Sequence, residues 1–348
     1  MTTVLAGDLG GTKTLLALYQ VTGSQLEAVE RRRYISAEWP SLAPMLADFL
    51  SGLPLGYEPP ASACMAVAGP VQGGTARITN LPWSLNQEAL AQAAGVPSLE
   101  LVNDFAVLIH GLPFLGSHQQ VMLQPPGEAA DSQGPKAIIG AGTGLGMARG
   151  LPSPDGLLTF PSEGGHREFA PRTEEEWQLR TWMEMQLGLD RLSTERVASG
   201  NGLGWVLLWL LHSACSDQPA SAHPLHEAAL AWRQRTGRDP LRPDLPALIS
   251  KAASEGDQLA NRALAIWLGA YGSAAGDLAV HELTTGGLWI AGGTAAKQID
   301  GLQDPVFLEP LRAKGRFRPL MEQIPIYALV EPDAGLFSAA CRALQVGH

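Results

Sequence analysis

Val4-Leu5-Ala6-Gly7-Asp8-Leu9-Gly10-Gly11-Thr12-Lys13-Thr14-Leu15-Leu16-Ala17-Leu18 is the stretch that decides the architecture. Two apolar runs flank a turn built on Gly10 and Gly11, and apolar runs joined through glycine read as strand, turn, strand. The pattern returns at Ala137-Ile138-Ile139-Gly140-Ala141-Gly142-Thr143-Gly144-Leu145-Gly146-Met147-Ala148, so the chain reads as two halves, each opening with a hairpin. A third glycine-rich segment runs from Gly286 to Gly293 around Leu288-Trp289-Ile290-Ala291. Turns of this kind expose backbone N–H groups without side-chain obstruction and can cradle phosphates.

Between the hairpins, Ala63 to Ala68 and Leu99 to Val102 read as buried strands that deliver the loops Gly69-Pro70 and Asn103-Asp104. Asp257 to Leu278 places apolar residues at helical spacing ahead of the Leu288–Ala291 strand, and Ala334 onward reads as a closing helix. His212 to Pro246 reads as a surface excursion with helical pieces. Helices alternating with strands and glycine turns define an α/β protein.

At 348 residues the chain exceeds what one core usually organises, which predicts two domains with a cleft between them. A net charge of -10 opposes binding to nucleic acid or anionic lipid and favours a small-molecule partner. Cys64, Cys215 and Cys341 have no CxxC or zinc-ligand spacing and read as buried thiols in a reducing cytoplasm. No export signal is expected at the N-terminus. Val197 to Ser216 is uncharged, but its apolar part, Leu203 to Leu211, has the length of a buried helix and not of a membrane span.

The glycine turns fit none of the commonest nucleotide or hydrolase signatures. Gly140 and Gly142 would need a glycine at 145 for a dinucleotide fingerprint, and the chain has Leu145. No GxxxxGK[ST], HExxH or GxSxG occurs.

Gly7-Asp8-Leu9-Gly10-Gly11-Thr12 resembles the first phosphate loop of the actin, Hsp70 and sugar-kinase superfamily, Gly140 to Gly146 its second, and Gly286 to Gly293 its adenosine-binding segment. Within that superfamily the chain is similar to the bacterial glucokinase family. The similarity lies in Leu101-Val102-Asn103-Asp104-Phe105, Glu163-Gly164-Gly165-His166, Ser193 to Gly200, Lys314-Gly315-Arg316-Phe317, and Ala68 to Val71 with Thr79 to Trp83. Lys13 stands where many of these kinases carry Asn, and the cysteine-rich zinc motif of the repressor-related branch is missing.

The resemblance implies a duplicated ribonuclease-H-like fold, with residues 1–108 and about 330–348 forming the smaller domain and 109–329 the larger. It implies ATP and Mg2+, and transfer of the γ-phosphoryl group to the 6-hydroxyl of glucose. Asp104 would accept the hydroxyl proton, and Asn103, Glu163, His166 and Glu195 would bind the sugar. Gly10, Gly11, Thr12, Lys13, Gly142, Thr143, Gly144, Gly292 and Gly293 would line the nucleotide. Asp8 would act on the metal, mostly through water. A homodimer is a further family expectation.

Other readings compete at particular residues. Asn103 can close an Asx turn, Ser193 or Thr194 can cap a helix beginning near Glu195, and Asp8 can satisfy turn amides. Glu174-Glu175-Glu176 reads as a solvated first helical turn after Thr173, and Trp177, Trp182 and Met183 as core or interface. For the whole chain the alternatives are a kinase for another hexose or an N-acetylated aminosugar, or a noncatalytic sugar-sensing regulator. With an acidic chain whose first strand starts at its opening residues, no N-terminal helix-turn-helix is expected. Gly144→Val is expected to weaken nucleotide binding while sparing the sugar.

Overall fold

The opening apolar runs form β1 (Thr3–Leu9) and β2 (Lys13–Thr22), antiparallel, with Leu9 opposite Thr14 across the glycine turn. β3 (Gln25–Ile35) continues the meander, followed by helix α1 (Leu42–Ser51) and β4 (Ser62–Val67). Three short strands, β5 (Val71–Gln72), β6 (Thr75–Arg77) and β7 (Ser84–Asn86), make a small separate sheet. Helix α2 (Gln87–Ala94) then leads into β8 (Leu99–Asn103). The first large sheet has the order β3-β2-β1-β4-β8, with β1, β4 and β8 parallel. The structure is a computed structural model that describes residues 2–347 apart from 24, 55, 79–80, 155, 214–219, 236–238, 240 and 294.

After α3 (Ala106–Gly111) the second sheet is built from β9 (Gln120–Gln124), β10 (Lys136–Ala141), β11 (Leu145–Ser153), β12 (Gly156–Ser162), β13 (Gly287–Ala291) and β14 (Ile326–Leu329). Its order is β12-β11-β10-β13-β14-β9. Without β9, this repeats the first sheet: a three-stranded antiparallel meander whose first strand is joined by two parallel strands. The expected ribonuclease-H-like duplication is therefore present, and each half opens with a glycine-turn hairpin.

The helices between β12 and β14 cover the second sheet. They are α4 (Glu174–Leu187), α5 (Thr194–Val197), α6 (Gly200–His212), α7 (His226–Gln234), α8 (Leu245–Ser254), α9 (Gln258–Glu282), α10 (Ile299–Gln303), α11 (Pro305–Arg312) and α12 (Arg318–Met321). α9 starts where Asp257 caps it, accepting from Ala260 N at 2.8 Å. It is the one described helix long and apolar enough to cross a membrane, but 72% of its apolar window is buried against neighbouring elements, as befits a core helix. α13 (Ala334–Val346) closes the chain and packs with α3 between the sheets. There Leu336, Ala339 and Ala340 meet Ala6 and Ala66 of the first sheet and Ile138 and Trp289 of the second.

Several local expectations need correction. Glu176 is buried, not solvated, because Arg172 folds over it with both its side chain and its amide. Neither Ser193 nor Thr194 caps α5 through its side chain, and the Thr194 hydroxyl instead donates to Arg167 O and Glu168 O. The excursion after His212 is not wholly superficial, since Trp232 is buried against Gly204 of α6. Of the residues expected in core or interface, Met183 is in the core and Trp177 is exposed. Cys64 and Cys341 are buried free thiols; Cys215, and Thr79 and Asn80 of the quoted motif, lie outside the described residues.

Candidate active site

Asp104 follows the last residue of β8, and its amide donates to Val67 O at 3.0 Å, so parallel pairing of β4 and β8 sets its height in the cleft. Its carboxylate accepts from its neighbours, Phe105 N and Asn103 Nδ2, both at 3.1 Å. Burial raises its pKa to about 6, with the charges of Asp8 and Glu163 adding to the effect and backbone hydrogen bonds opposing it. Asn103 does close the turn. Its Oδ1 accepts from Phe105 N and Ala106 N at 3.0 and 3.1 Å, while Nδ2 also donates to Gly69 O.

Asp8 stands at the end of β1, beside the first glycine turn. Burial raises its pKa, with Lys13 opposing and Asp333 reinforcing the rise. Gly335 at the start of α13 lies against this carboxylate; a Cβ there would be 3.3 Å from Asp8 Oδ2. The Gly10–Thr12 turn is stitched by Gly10 N to Lys13 O, Ser36 Oγ to Gly10 O and Ser36 N to Thr12 O, which leaves Thr12 and Lys13 exposed.

The second turn, Gly142 to Gly144, joins β10 to β11 and abuts the N-terminus of α6. Gly200 N donates to Gly142 O at 2.8 Å and Asn201 Nδ2 to Thr143 O at 3.0 Å. A Cβ on Gly142 would meet only open space, as phosphate access requires. The other glycines have different work. A Cβ on Gly140 or Gly146 would strike the Phe105 ring, and one on Gly144 would come within 2.5 Å of Glu195 Oε2. Glu195 in turn accepts from Leu145 N at 2.9 Å.

The third glycine segment divides between the two ends of β13. Gly286 packs on Gly134 at the strand's start, whereas Gly292 and Gly293 follow its end. Gly292 has φ +90, a conformation suited to glycine, and Gly293 faces open space. Tyr271, fully buried on α9, holds this end of the sheet. Its hydroxyl accepts from Ala141 N at 3.2 Å and lies 3.3 and 3.4 Å from Ile139 O and Ala291 O.

Glu163, His166 and Glu195 come together, although they arise from the end of β12 and from α5. His166 Nε2 is 3.7 Å from Glu163 Oε2, and Nδ1 is 3.9 Å from Glu195 Oε1. Gly165 permits the approach, since a Cβ there would collide with Leu145 O. Reasoning from the sequence missed Phe105, Leu145 and Asp333 as parts of the site. Phe105 stood inside a quoted motif, but nothing in the string pairs it with Gly140 and Gly146. Among the described residues no group of three metal-ligating side chains exists.

A family model described as Glucokinase matches residues 5–346. A glucokinase of Trichormus variabilis is 39% identical over 99% of this chain and 100% of its own. A crystal structure of glucokinase from an Antarctic psychrotroph superposes with a TM-score of 0.79 at 28% identity, covering 99% of each chain. The fold also matches a glucokinase from Streptomyces griseus in complex with glucose and AMPPNP, with a TM-score of 0.62 at 19% identity over 99% of both chains. By both the family model and full-length identity, the chain belongs to the glucokinase family.

Proposed function

We propose that Asp104 is the general base for transfer of the γ-phosphoryl group from ATP to the 6-hydroxyl of glucose. Family membership makes the overall reaction ATP-dependent phosphorylation of glucose. The observation that carries the assignment is the placement of Asp104 near Asp8 and Glu163, with its carboxyl pushed up to about 6. A carboxyl in that range is still mostly ionised at neutral pH and is a stronger proton acceptor than an ordinary one.

In this reading Glu163, His166 and Glu195 bind the ring hydroxyls, Asn103 sets the Asp104 loop, and the sugar 6-hydroxyl donates to Asp104. As the hydroxyl oxygen bonds to the γ-phosphorus, the bond to the bridging oxygen breaks, ADP leaves and Asp104 takes the proton. Gly10, Gly11, Thr12 and Lys13 line one side of the phosphates. Gly142, Thr143 and Gly144 line the other, with the start of α6 supplying a favourable dipole. Gly292 and Gly293 leave room for the nucleoside. Mg2+, when bound, would neutralise phosphate charge, and Asp8 is the residue placed to hold its water shell.

The cleft in this proposal lies between residues 1–108 with 330–348 and residues 109–329. A homodimer in the cytoplasm belongs to the same reading, and the two described cysteines, buried and free, suit a reducing compartment. The deciding experiment is a transfer assay over a panel of hexoses with ATP, GTP and polyphosphate as donors. Glucose with ATP is expected to give the highest kcat/KM, and a panel without sugar-dependent transfer overturns the proposal.

A further inference from the structure

The Lys314-Gly315-Arg316-Phe317 motif has no part in the proposed chemistry, yet its lysine is tied to the sugar-reading loop. The Lys314 side chain is only 10% exposed. Its Nζ donates to Asp277 Oδ1 at 2.7 Å and to Ser273 O at 3.0 Å, both on α9. α9 makes room for it, because a Cβ on Gly276 would lie 2.5 Å from Lys314 Cε.

The second oxygen of Asp277 serves another cation: Arg167 Nη2 donates to Asp277 Oδ2 at 3.2 Å and to Ala274 O at 3.1 Å. Arg167 directly follows His166. Its own carbonyl accepts from Thr194 N at 2.8 Å, and Thr194 directly precedes Glu195. One arginine thus ties both His166 and Glu195 to α9, and its carboxylate anchor is shared with Lys314.

We infer that Lys314 is a positioning residue for sugar recognition, acting through Asp277 and Arg167 on the backbone that presents His166 and Glu195. With one cation on each oxygen, the Asp277 carboxylate has a fixed orientation. Loss of Lys314 frees it to rotate and take Arg167 in a two-oxygen pair, which draws the guanidinium away from Ala274 O. Asp277 is 42% exposed, so water can solvate it after the change and the fold is expected to survive. The displacement falls first on the sugar side, because Arg167 makes no described contact with the glycine turns and reaches them only through the flexible Glu195 side chain. The inference rests on the assignment of His166 and Glu195 to the sugar.

The test uses the full chain with Lys314→Met, which keeps the length of the stem, Lys314→Arg, which keeps the charge, and Asp277→Asn. Lys314→Met is expected to raise the glucose KM about tenfold while kcat and the ATP KM stay within about twofold, the signature of misplaced binding groups. Lys314→Arg should recover most of the loss. Asp277→Asn should reproduce it, and the double variant should be no worse than either single one, as for residues acting in series. A lower melting temperature with unchanged glucose KM in Lys314→Met would overturn the inference, and if that variant does not fold, an unchanged glucose KM in Asp277→Asn does the same. Glu195→Gln and His166→Asn separate this from failure of the underlying assignment: if both leave the glucose KM unchanged, the sugar site itself is misplaced.

Discussion

Glu195 Oε2 accepts a hydrogen bond from Leu145 N at 2.9 Å, so a side chain assigned to the sugar is held by the turn assigned to the phosphates. The same carboxylate faces His166 with its other oxygen, at 3.9 Å from Nδ1. Gly144 is small because Glu195 occupies the space a Cβ would take. The two proposed substrate sites are therefore joined through one carboxylate.

Gly144→Val should weaken both ligands, contrary to the expectation from sequence that nucleotide and sugar effects separate. The valine would push the end of the Glu195 side chain aside and break its bond to Leu145 N, and the expected loss is on the order of tenfold in affinity for each ligand, about 1.4 kcal/mol. Calorimetry with glucose alone and ATP alone checks this. Unchanged glucose affinity in the folded variant would show that Glu195 can yield without consequence.

Asp104→Asn keeps side-chain size and removes the proton-accepting charge. kcat should fall about 100- to 10,000-fold, the usual contribution of a general base, while the glucose dissociation constant changes far less. The lower end is favoured by the loose transition state of phosphoryl transfer, which demands little nucleophile deprotonation. Single-turnover phosphorylation and equilibrium glucose binding on one preparation decide it, and turnover within about threefold of the parent would remove Asp104 from the role of base.

The same substitution should stabilise the fold at neutral pH. Asp104 has a folded pKa of about 6, raised from 3.8, so its charge destabilises the native state above pH 6. That penalty fades as pH falls from about 6 towards 4, where the folded protein binds the extra proton. Removing the charge should contribute on the order of 2 kcal/mol at pH 7, measurable by denaturant titration. Little or no gain should remain at pH 4.

For the reaction itself the expected sign is opposite, because the proposed base acts as the ionised carboxylate. kcat/KM should decline below about pH 6 with a slope of one. Asp8→Asn removes a charge that raises the Asp104 pKa, so it should move this acid limb to lower pH whatever it does to the plateau. A limb that stays in place would mean another group governs it.

Phe105 rests on the paired glycines Gly140 and Gly146, one residue beyond the base. Gly146→Ala should push the ring away and disturb Asp104, lowering kcat about tenfold or more, in line with the sensitivity of catalysis to displacements of about 1 Å. Gly146→Ala combined with Phe105→Leu should recover part of the rate. Equal kcat for both would instead show that the ring position is irrelevant to catalysis.

Much of this was legible in the string because the features are local. Glycine turns between apolar runs gave the two hairpins, and Asx chemistry at Asn103 was readable from neighbouring residues. What was hidden depends on long-range approach. Gly140, Gly144 and Gly146 read as phosphate glycines, yet two of them admit Phe105 and one admits Glu195, contacts that no spacing rule reveals. Glu176 read as solvated because it follows two other acids, and only the fold shows Arg172 closing over it. Lys314 was part of a motif, but its partner Asp277 lies on α9, 37 residues earlier in the chain.

Tyr271 constrains how the proposed nucleotide groove can vary. Its hydroxyl reaches Ala141 N and lies beside Ala291 O, the last residues of the two strands before Gly142 and Gly292. One phenol thus acts as a spacer gauge between the ends of β10 and β13, which lead into the turns proposed for the phosphates and for the nucleoside. Burial raises the phenol's pKa, so the gauge keeps its proton at neutral pH. In the proposed reading, adaptation to a larger or smaller donor is expected to come from the loops beyond these strand ends.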